Sequence, residues 1–250
     1  MFYYSKMLSD GKSIPINKKE AIKYCKMAMD ADIDQAFYHY SSLTYNDPKI
    51  NQEEVAKYFK MSADKGNSSG MNNYAFMLFN GTGIPCDKQE AIKYYKMSIE
   101  KGNVNAMNSY AYILHYGDGI EKNIEESVKY YKMAIDKGYE IAMFNYGLML
   151  FEGKDIECNK KEAAKLFKMA ADKGYSESMN MYALMNNYGD GISINYNEAE
   201  KYYKMAVDKN EIESMYNLAN LYYNNEIKEE ALKYFKMAAE KGHIKAIYRY

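Results

Sequence analysis

The chain is expected to fold as an all-α solenoid, a right-handed superhelix of antiparallel helix pairs. Three observations predict it. Lys-Met recurs at Lys26-Met27, Lys60-Met61, Lys96-Met97, Lys132-Met133, Lys168-Met169, Lys204-Met205 and Lys236-Met237, in steps of 34, 36, 36, 36, 36 and 32 residues. A period of that length marks stacked helical repeats. Apolar residues inside each repeat recur with helical spacing. Glycines fall where helices must stop, and only three prolines occur in the chain.

The repeat from Ala106 to Ile141 shows each element in turn. Ala106 through Leu114 reads as a first helix, A, broken by Gly117-Asp118-Gly119. Glu125 through Lys137 reads as a second helix, B, ended by Gly138. Helix B opens on Asn or Asp three residues before Glu: Asn17/Glu20, Asn51/Glu54, Asp87/Glu90, Asn123/Glu126, Asn159/Glu162 and Asn195/Glu198. That spacing is close to a capping box, in which side chain and backbone satisfy each other's free donors. The last repeat has Ile227 there and loses the cap. Helix B closes on Lys-Gly at Lys65-Gly66, Lys101-Gly102, Lys137-Gly138, Lys173-Gly174 and Lys241-Gly242. Lysine suits the negative end of the helix dipole, and glycine takes the left-handed residue that follows.

In helix B, Ala91, Tyr95 and Ser98 share one face, while Lys93, Lys96 and Glu100 point away. In helix A, Ala106, Tyr110 and Leu114 line the core face, with a small residue beside it at Ala75, Ala111, Gly147, Ala183 and Ala219. One pair of helices is too small to hide these faces, so repeats must stack. Full repeats are expected at about 36–69, 70–105, 106–141, 142–177, 178–213 and 214–245, with partial ones at 1–35 and 246–250, all in one array. Met1 aligns with Met71, and Tyr250 with Tyr110. Both ends thus fall inside a helix A without a polar capping repeat, as in a segment of a longer array. A start codon at this recurrent methionine is the rival explanation.

Hydrophobic residues make up 48% of the chain, enough for a buried core. The 33 basic and 34 acidic residues are intermixed and leave a net charge of −1. That balance speaks against a nucleic-acid interface or a polybasic membrane segment. No apolar run approaches the roughly 20 residues needed to cross a bilayer. With no signal peptide visible, the cytoplasm is the expected compartment. Cys86 and Cys158 occupy the same point two repeats apart, beyond the reach of a disulfide, so free thiols are expected there and at Cys25.

These features resemble the SEL-one-like repeat family, a relative of tetratricopeptide repeats. The resemblance rests on Ala142, Tyr146-Gly147, Leu150, Gly153, Asn159, Ala163, Leu166-Phe167, Ala170 and Gly174 in one repeat. Another repeat carries Gly81-Thr82-Gly83, Asp87, Ala91, Tyr94-Tyr95 and Gly102. Tyr or Leu stands where the family has Trp, and Ala often replaces the glycine of helix A. The resemblance spans the chain and implies a non-enzymatic scaffold or adaptor that binds a protein or an extended peptide. The alternative it leaves open is a spacer or regulatory arm of a larger signalling or quality-control protein, in some relatives beside a kinase.

Residues with catalytic chemistry are sparse. His39, His115 and His243 stand alone, without the partner spacing of a metal site. The Gly-Asp-Gly loops at Gly117 and Gly189 follow a helix instead of a strand, which argues against a phosphate cradle. Neighbouring acids such as Glu125-Glu126 start helices, where they favour the dipole. No catalytic residue, metal ligand or cofactor is therefore expected.

The face of helix A expected to line the concave side of the superhelix is the stronger candidate. Counting from the first small residue (Gly70, Ala106, Ala142, Ser178, Ser214) as position 0, positions 0, 4 and 8 face the core. Positions 2, 6 and 9 lie opposite at about 100° per residue, with position 3 beside them. The candidate partner-binding residues are Asn73, Phe76, Phe79, Asn108, Ser109, Tyr112, His115, Asn145, Leu148, Phe151 and Leu184. Asn73, Asn108, Ser109 and Asn145 would bond a peptide backbone. Phe76, Tyr112, Leu148 and Phe151 would provide apolar pockets. Two readings are open for the bulky line at position 6: a binding strip, or packing between neighbouring repeats.

Overall fold

Helical apolar spacing and glycine stops produce fifteen helices among the described residues, 1–249, of a computed structural model. In chain order they are α1 (Phe2–Asp10), α2 (Lys18–Asp30), α3 (Asp34–Thr44), α4 (Gln52–Asp64), α5 (Ser68–Asn80), α6 (Lys88–Glu100), α7 (Val104–Tyr116) and α8 (Ile124–Asp136). They continue as α9 (Glu140–Glu152), α10 (Lys160–Asp172), α11 (Ser176–Tyr188), α12 (Tyr196–Asp208), α13 (Ile212–Asn224), α14 (Lys228–Glu240) and the short α15 (Ile244–Ile247). Odd-numbered helices are the A helices and even-numbered ones the B helices, paired antiparallel in a helical-repeat solenoid. Contacts divide the chain into two compact halves, Met1–Tyr130 and Tyr131 onward.

The helix B caps form, but only half of the capping box does. Asn17, Asp87, Asn123, Asn159 and Asn195 each accept the backbone N–H of the Glu three residues on, at 2.9–3.1 Å. Asn51 instead accepts from Glu53 N–H. The reciprocal donor, the cap's own N–H, turns to helix A. Asn17, Asp87, Asn123, Asn159 and Asn195 donate to the carbonyls of Leu8, Leu78, Leu114, Leu150 and Asn186, each at 2.9 Å. The inter-helix loop thus closes against the preceding helix, and no buried donor is left over. Ile227 makes no side-chain cap, as expected.

Helix A begins two residues earlier than the pattern of small residues suggests and has caps of its own. Asn67 accepts from Gly70 N–H at 2.8 Å, Asn103 from Ala106 N–H at 3.1 Å, and Glu211 from Ser214 N–H. Helix A also buries more than one face. Positions 1 and 7 are as enclosed as the core face: Met71 and Met77, Met107 and Ile113, Met143 and Met149, Met179 and Met185, Met215 and Leu221. Packing on both sides of helix A is what a stack demands of its inner layer.

The second loop glycine sets how closely repeats approach. Gly83 is left-handed at φ +74°, and a Cβ there would lie 2.4 Å from the Gln52 carbonyl carbon, in the first turn of the preceding helix B. Gly191, at φ +78°, would meet Lys160 Cβ at 2.4 Å in the same way. In the last repeat, which lacks the Gly-x-Gly loop, Glu226 takes the left-handed conformation instead.

Of the Lys-Met methionines, Met61, Met205 and Met237 are half-buried and pack against core clusters, whereas Met27, Met97 and Met169 are exposed on the flank of helix B. The lysines do not simply point to water. Lys26 sits over the Tyr40 ring at 5.1 Å, Lys96 over Tyr110 at 5.4 Å, Lys132 over Tyr146 at 5.7 Å and Lys204 over Tyr222 at 5.9 Å. Each of these tyrosines belongs to the A helix of the next repeat. A lysine laid over a ring contributes about 0.5–1 kcal/mol when exposed, so four of the seven pairs act as joints between neighbours, whereas Lys60 and Lys236 pair with Asp64 and Glu240 on their own helices.

Candidate functional site

The candidate residues lie on the A helices, each half carrying its own set. In the first half, Asn73, Phe76 and Phe79 are on α5, and Asn108, Ser109, Tyr112 and His115 are on α7. Phe76 is 45% and Tyr112 50% exposed, and both stand at position 6 of successive A helices. Tyr116, one turn beyond Tyr112, is 60% exposed, and the two rings lie 4.5 Å apart. His115 is half-buried against Tyr116, also at 4.5 Å. The Phe76 ring is backed edge-on by half-buried Tyr45 at 6.4 Å. Together these rings form an exposed aromatic strip on α5 and α7.

The other members of this set are more enclosed. Phe79 is half-buried, packs against the core of the half and carries Lys88 over its ring at 5.1 Å. Asn73 accepts a hydrogen bond from Asn72 at 2.9 Å. Ser109 bonds the buried Tyr95 phenol, whose proton is held firmly by burial. Asn108 is half-buried and already engaged.

In the second half, Asn145, Leu148 and Phe151 are on α9 and Leu184 is on α11. Leu148 and Leu184 occupy position 6 but are half-buried and packed against core clusters. Phe151 is also half-buried, with Lys160 over its ring at 5.1 Å. Asn145 is half-buried and engaged. The eleven residues are thus of two kinds: exposed rings at Phe76 and Tyr112, and partly enclosed packing at most other positions. Tyr116 was absent from the expected set, because position 10 falls beyond the face counted from the small residues.

Elsewhere, the Gly-Asp-Gly loops prove to be clamps. Asp118 pairs with Lys88 and Asp190 with Lys160, in each case reaching the first turn of the preceding helix B. Gln89 adds a hydrogen bond to the Gly119 carbonyl at 2.7 Å. The three thiols are free: Cys86 and Cys158 are exposed, and burial pushes Cys25 up to about 11. Among the described residues, no cluster of three metal-ligating side chains forms, and no helix is long and apolar enough to cross a membrane.

Comparison with known proteins agrees with this architecture. A Sel1 repeat protein from Oxalobacter formigenes superposes with a TM-score of 0.83 at 21% identity, covering 96% of this chain and 100% of that one. A protective antigen of uropathogenic Escherichia coli displaying an SLR fold gives 0.73 at 23% identity. That match covers 98% of this chain but only 54% of the antigen, so the chain spans about half its length. An immunity protein from Pseudomonas aeruginosa gives 0.57 at 14% identity, over 83% of this chain and 81% of that one. At these identities the likeness is one of fold. No curated protein matches the chain. The Sel1 repeat model matches residues 1–32, 28–44, 68–103, 104–139, 141–175, 176–211 and 212–243. The unmatched stretch around α4 has Asp47-Pro48-Lys49 where three other loops have Gly-x-Gly, yet the B helix follows regardless. Matched over most of its length, helix pair after helix pair, the chain belongs to the Sel1 repeat family.

Proposed function

We propose that the chain is a non-enzymatic scaffold that binds an extended peptide, or an extended segment of a partner protein, along the A helices of its first half. Sel1 repeats are typically protein–protein interaction modules. The observation that carries the reading is the exposure of Phe76 and Tyr112 at one position of successive repeats. Large rings held in water by a packed scaffold are the usual anchors of protein interfaces. Tyr45 behind Phe76 and Tyr116 beside Tyr112 limit how far the rings can move, which lowers the entropy lost on binding.

Leu148 is a poor choice for testing this strip, because its half-buried side chain also supports the core. The informative variant is Phe76→Ala with Tyr112→Ala. Crosslinking pulldown from the native cell should lose its specific partner with this variant while circular dichroism stays unchanged. Undiminished capture would remove the strip from the reading.

A further inference from the structure

We infer that the strip formed by Phe76, Tyr112 and Tyr116 accepts an uncharged, proline-rich segment in the polyproline II conformation; this rests on the peptide-binding reading above and specifies its ligand. Two observations lead there, charge and period.

Charged residues make up 27% of the chain, yet none occupies position 2, 3, 6 or 9 of α5 or α7. Those positions hold asparagine, serine, histidine and aromatic side chains. Lys88 lies over the Phe79 ring at 5.1 Å but is paired with Asp118, so a charged peptide laid on this surface would lose water without finding a free counter-charge. The complementary partner is neutral.

Period separates the conformations a neutral peptide could adopt. Phe76 and Tyr112 are equivalent residues on A helices that share one buried cluster, and packed helices stand about 8–10 Å apart. A helical peptide repeats its face about every 5.4 Å. A β-strand does so every second residue, about 6.6–6.8 Å. A polyproline II peptide, with three residues per turn at about 3.1 Å each, does so about every 9.3 Å. Only the last places one residue per turn over one ring per repeat. The chemistry also fits. Proline rings stack on aromatic faces, and a polyproline II backbone keeps its carbonyls free for donors along the groove. The Tyr112 and Tyr116 rings touch each other, 4.5 Å apart with 44° between their planes, and together present one aromatic surface on which such a ring can stack.

The test uses the full chain and a fluorescent peptide of about twelve residues built on Pro-Pro-Leu, four polyproline II turns long. The control has the same length and leucines, with every proline replaced by alanine. Fluorescence anisotropy should show the proline peptide binding at least about tenfold more tightly than the control. Tyr112→Ala should weaken binding by a similar factor, and Tyr112→Phe should keep most of it. Tyr188→Ala, at the position of Tyr116 in the second half, should leave it unchanged. Equal binding of the two peptides, lost with Tyr112→Ala, would overturn the polyproline assignment and leave the peptide-binding strip standing. So would failure of both peptides where native pulldown still depends on Phe76 and Tyr112. Failure of both peptides together with a pulldown indifferent to those residues would overturn the strip as well.

Discussion

The helix pair α5 and α7 in the first half and the pair α11 and α13 in the second are built on the same plan and finished differently. At position 6 the first pair presents Phe76 and Tyr112 to water, whereas the second has half-buried Leu184 and Asn220. At position 2 the contrast is sharper. Asn180 accepts from Ser214 Oγ and Asn217 Nδ2, both at 3.0 Å, which stitches α11 to α13. Asn72 holds the same place on α5, but its Oδ1 is buried with no hydrogen-bond partner. Ala106 stands where the second pair has Ser214, and Ser109 is turned to Tyr95. A buried acceptor without a partner costs about 1–3 kcal/mol. At these two positions one backbone scheme thus yields a sewn seam on α11 and α13 and an open aromatic one on α5 and α7, while Tyr188, Tyr223 and the unpartnered Ser178 Oγ show that the second pair also keeps exposed rings and an unsatisfied atom.

The comparison can be tested through what the two pairs should share. Gly83→Ala and Gly191→Ala should be the most damaging changes, each lowering stability by about 2–4 kcal/mol. That is the left-handed penalty added to the displacement of a packed neighbour. Urea denaturation should give similar losses for both, and a large inequality would show that the loops following α5 and α11 are not equivalent. Position 6 should then separate the halves. Leu184→Ala should cost about 1–2 kcal/mol, below the range for a fully buried leucine. Tyr112→Ala should cost less than about 0.5 kcal/mol, as for an ordinary surface site. Equal thermal shifts for these two variants would erase the distinction between closed and open strips. A third set of effects concerns the asparagines. Ser214→Ala should destabilise by about 1 kcal/mol, and Ala106→Ser should stabilise by about as much, by supplying Asn72 with a donor. A neutral Ala106→Ser would show that Asn72 has a partner in solution.

Much of this plan was legible in the chain. The period, the helix stops and the helix B caps are local signals, and Asn17, Asp87 and Asn159 cap as their spacing implies. The caps of helix A obey the same rule at Asn67 and Asn103, but they lie outside a helix whose start is set by its small residues. What stayed hidden depends on a second element. A helical wheel places Lys96 in water because its partner, Tyr110, is on the next repeat. The capping box loses its second half because helix A offers Leu78 or Leu114 as a carbonyl acceptor. Position 6 carries one label in every repeat, yet its exposure depends on the side chain. Leucine settles against the gap between helices, and a phenol or phenyl ring stays outside. Whether Asn72 or Asn180 is satisfied depends on one residue 34 positions later.

The lysine-over-tyrosine joints bear on how the molecule yields to force. A hydrogen bond fails within a few tenths of an ångström and a few tens of degrees. An ammonium above a ring face keeps its attraction out to about 6 Å and is carried on a flexible four-carbon arm. Joints of this kind, repeated from Lys26 to Lys204, let neighbouring repeats tilt while they stay tethered. Within each half, the stack should therefore respond to load as a compliant spring, giving elastically at its seams before any helix pair comes apart.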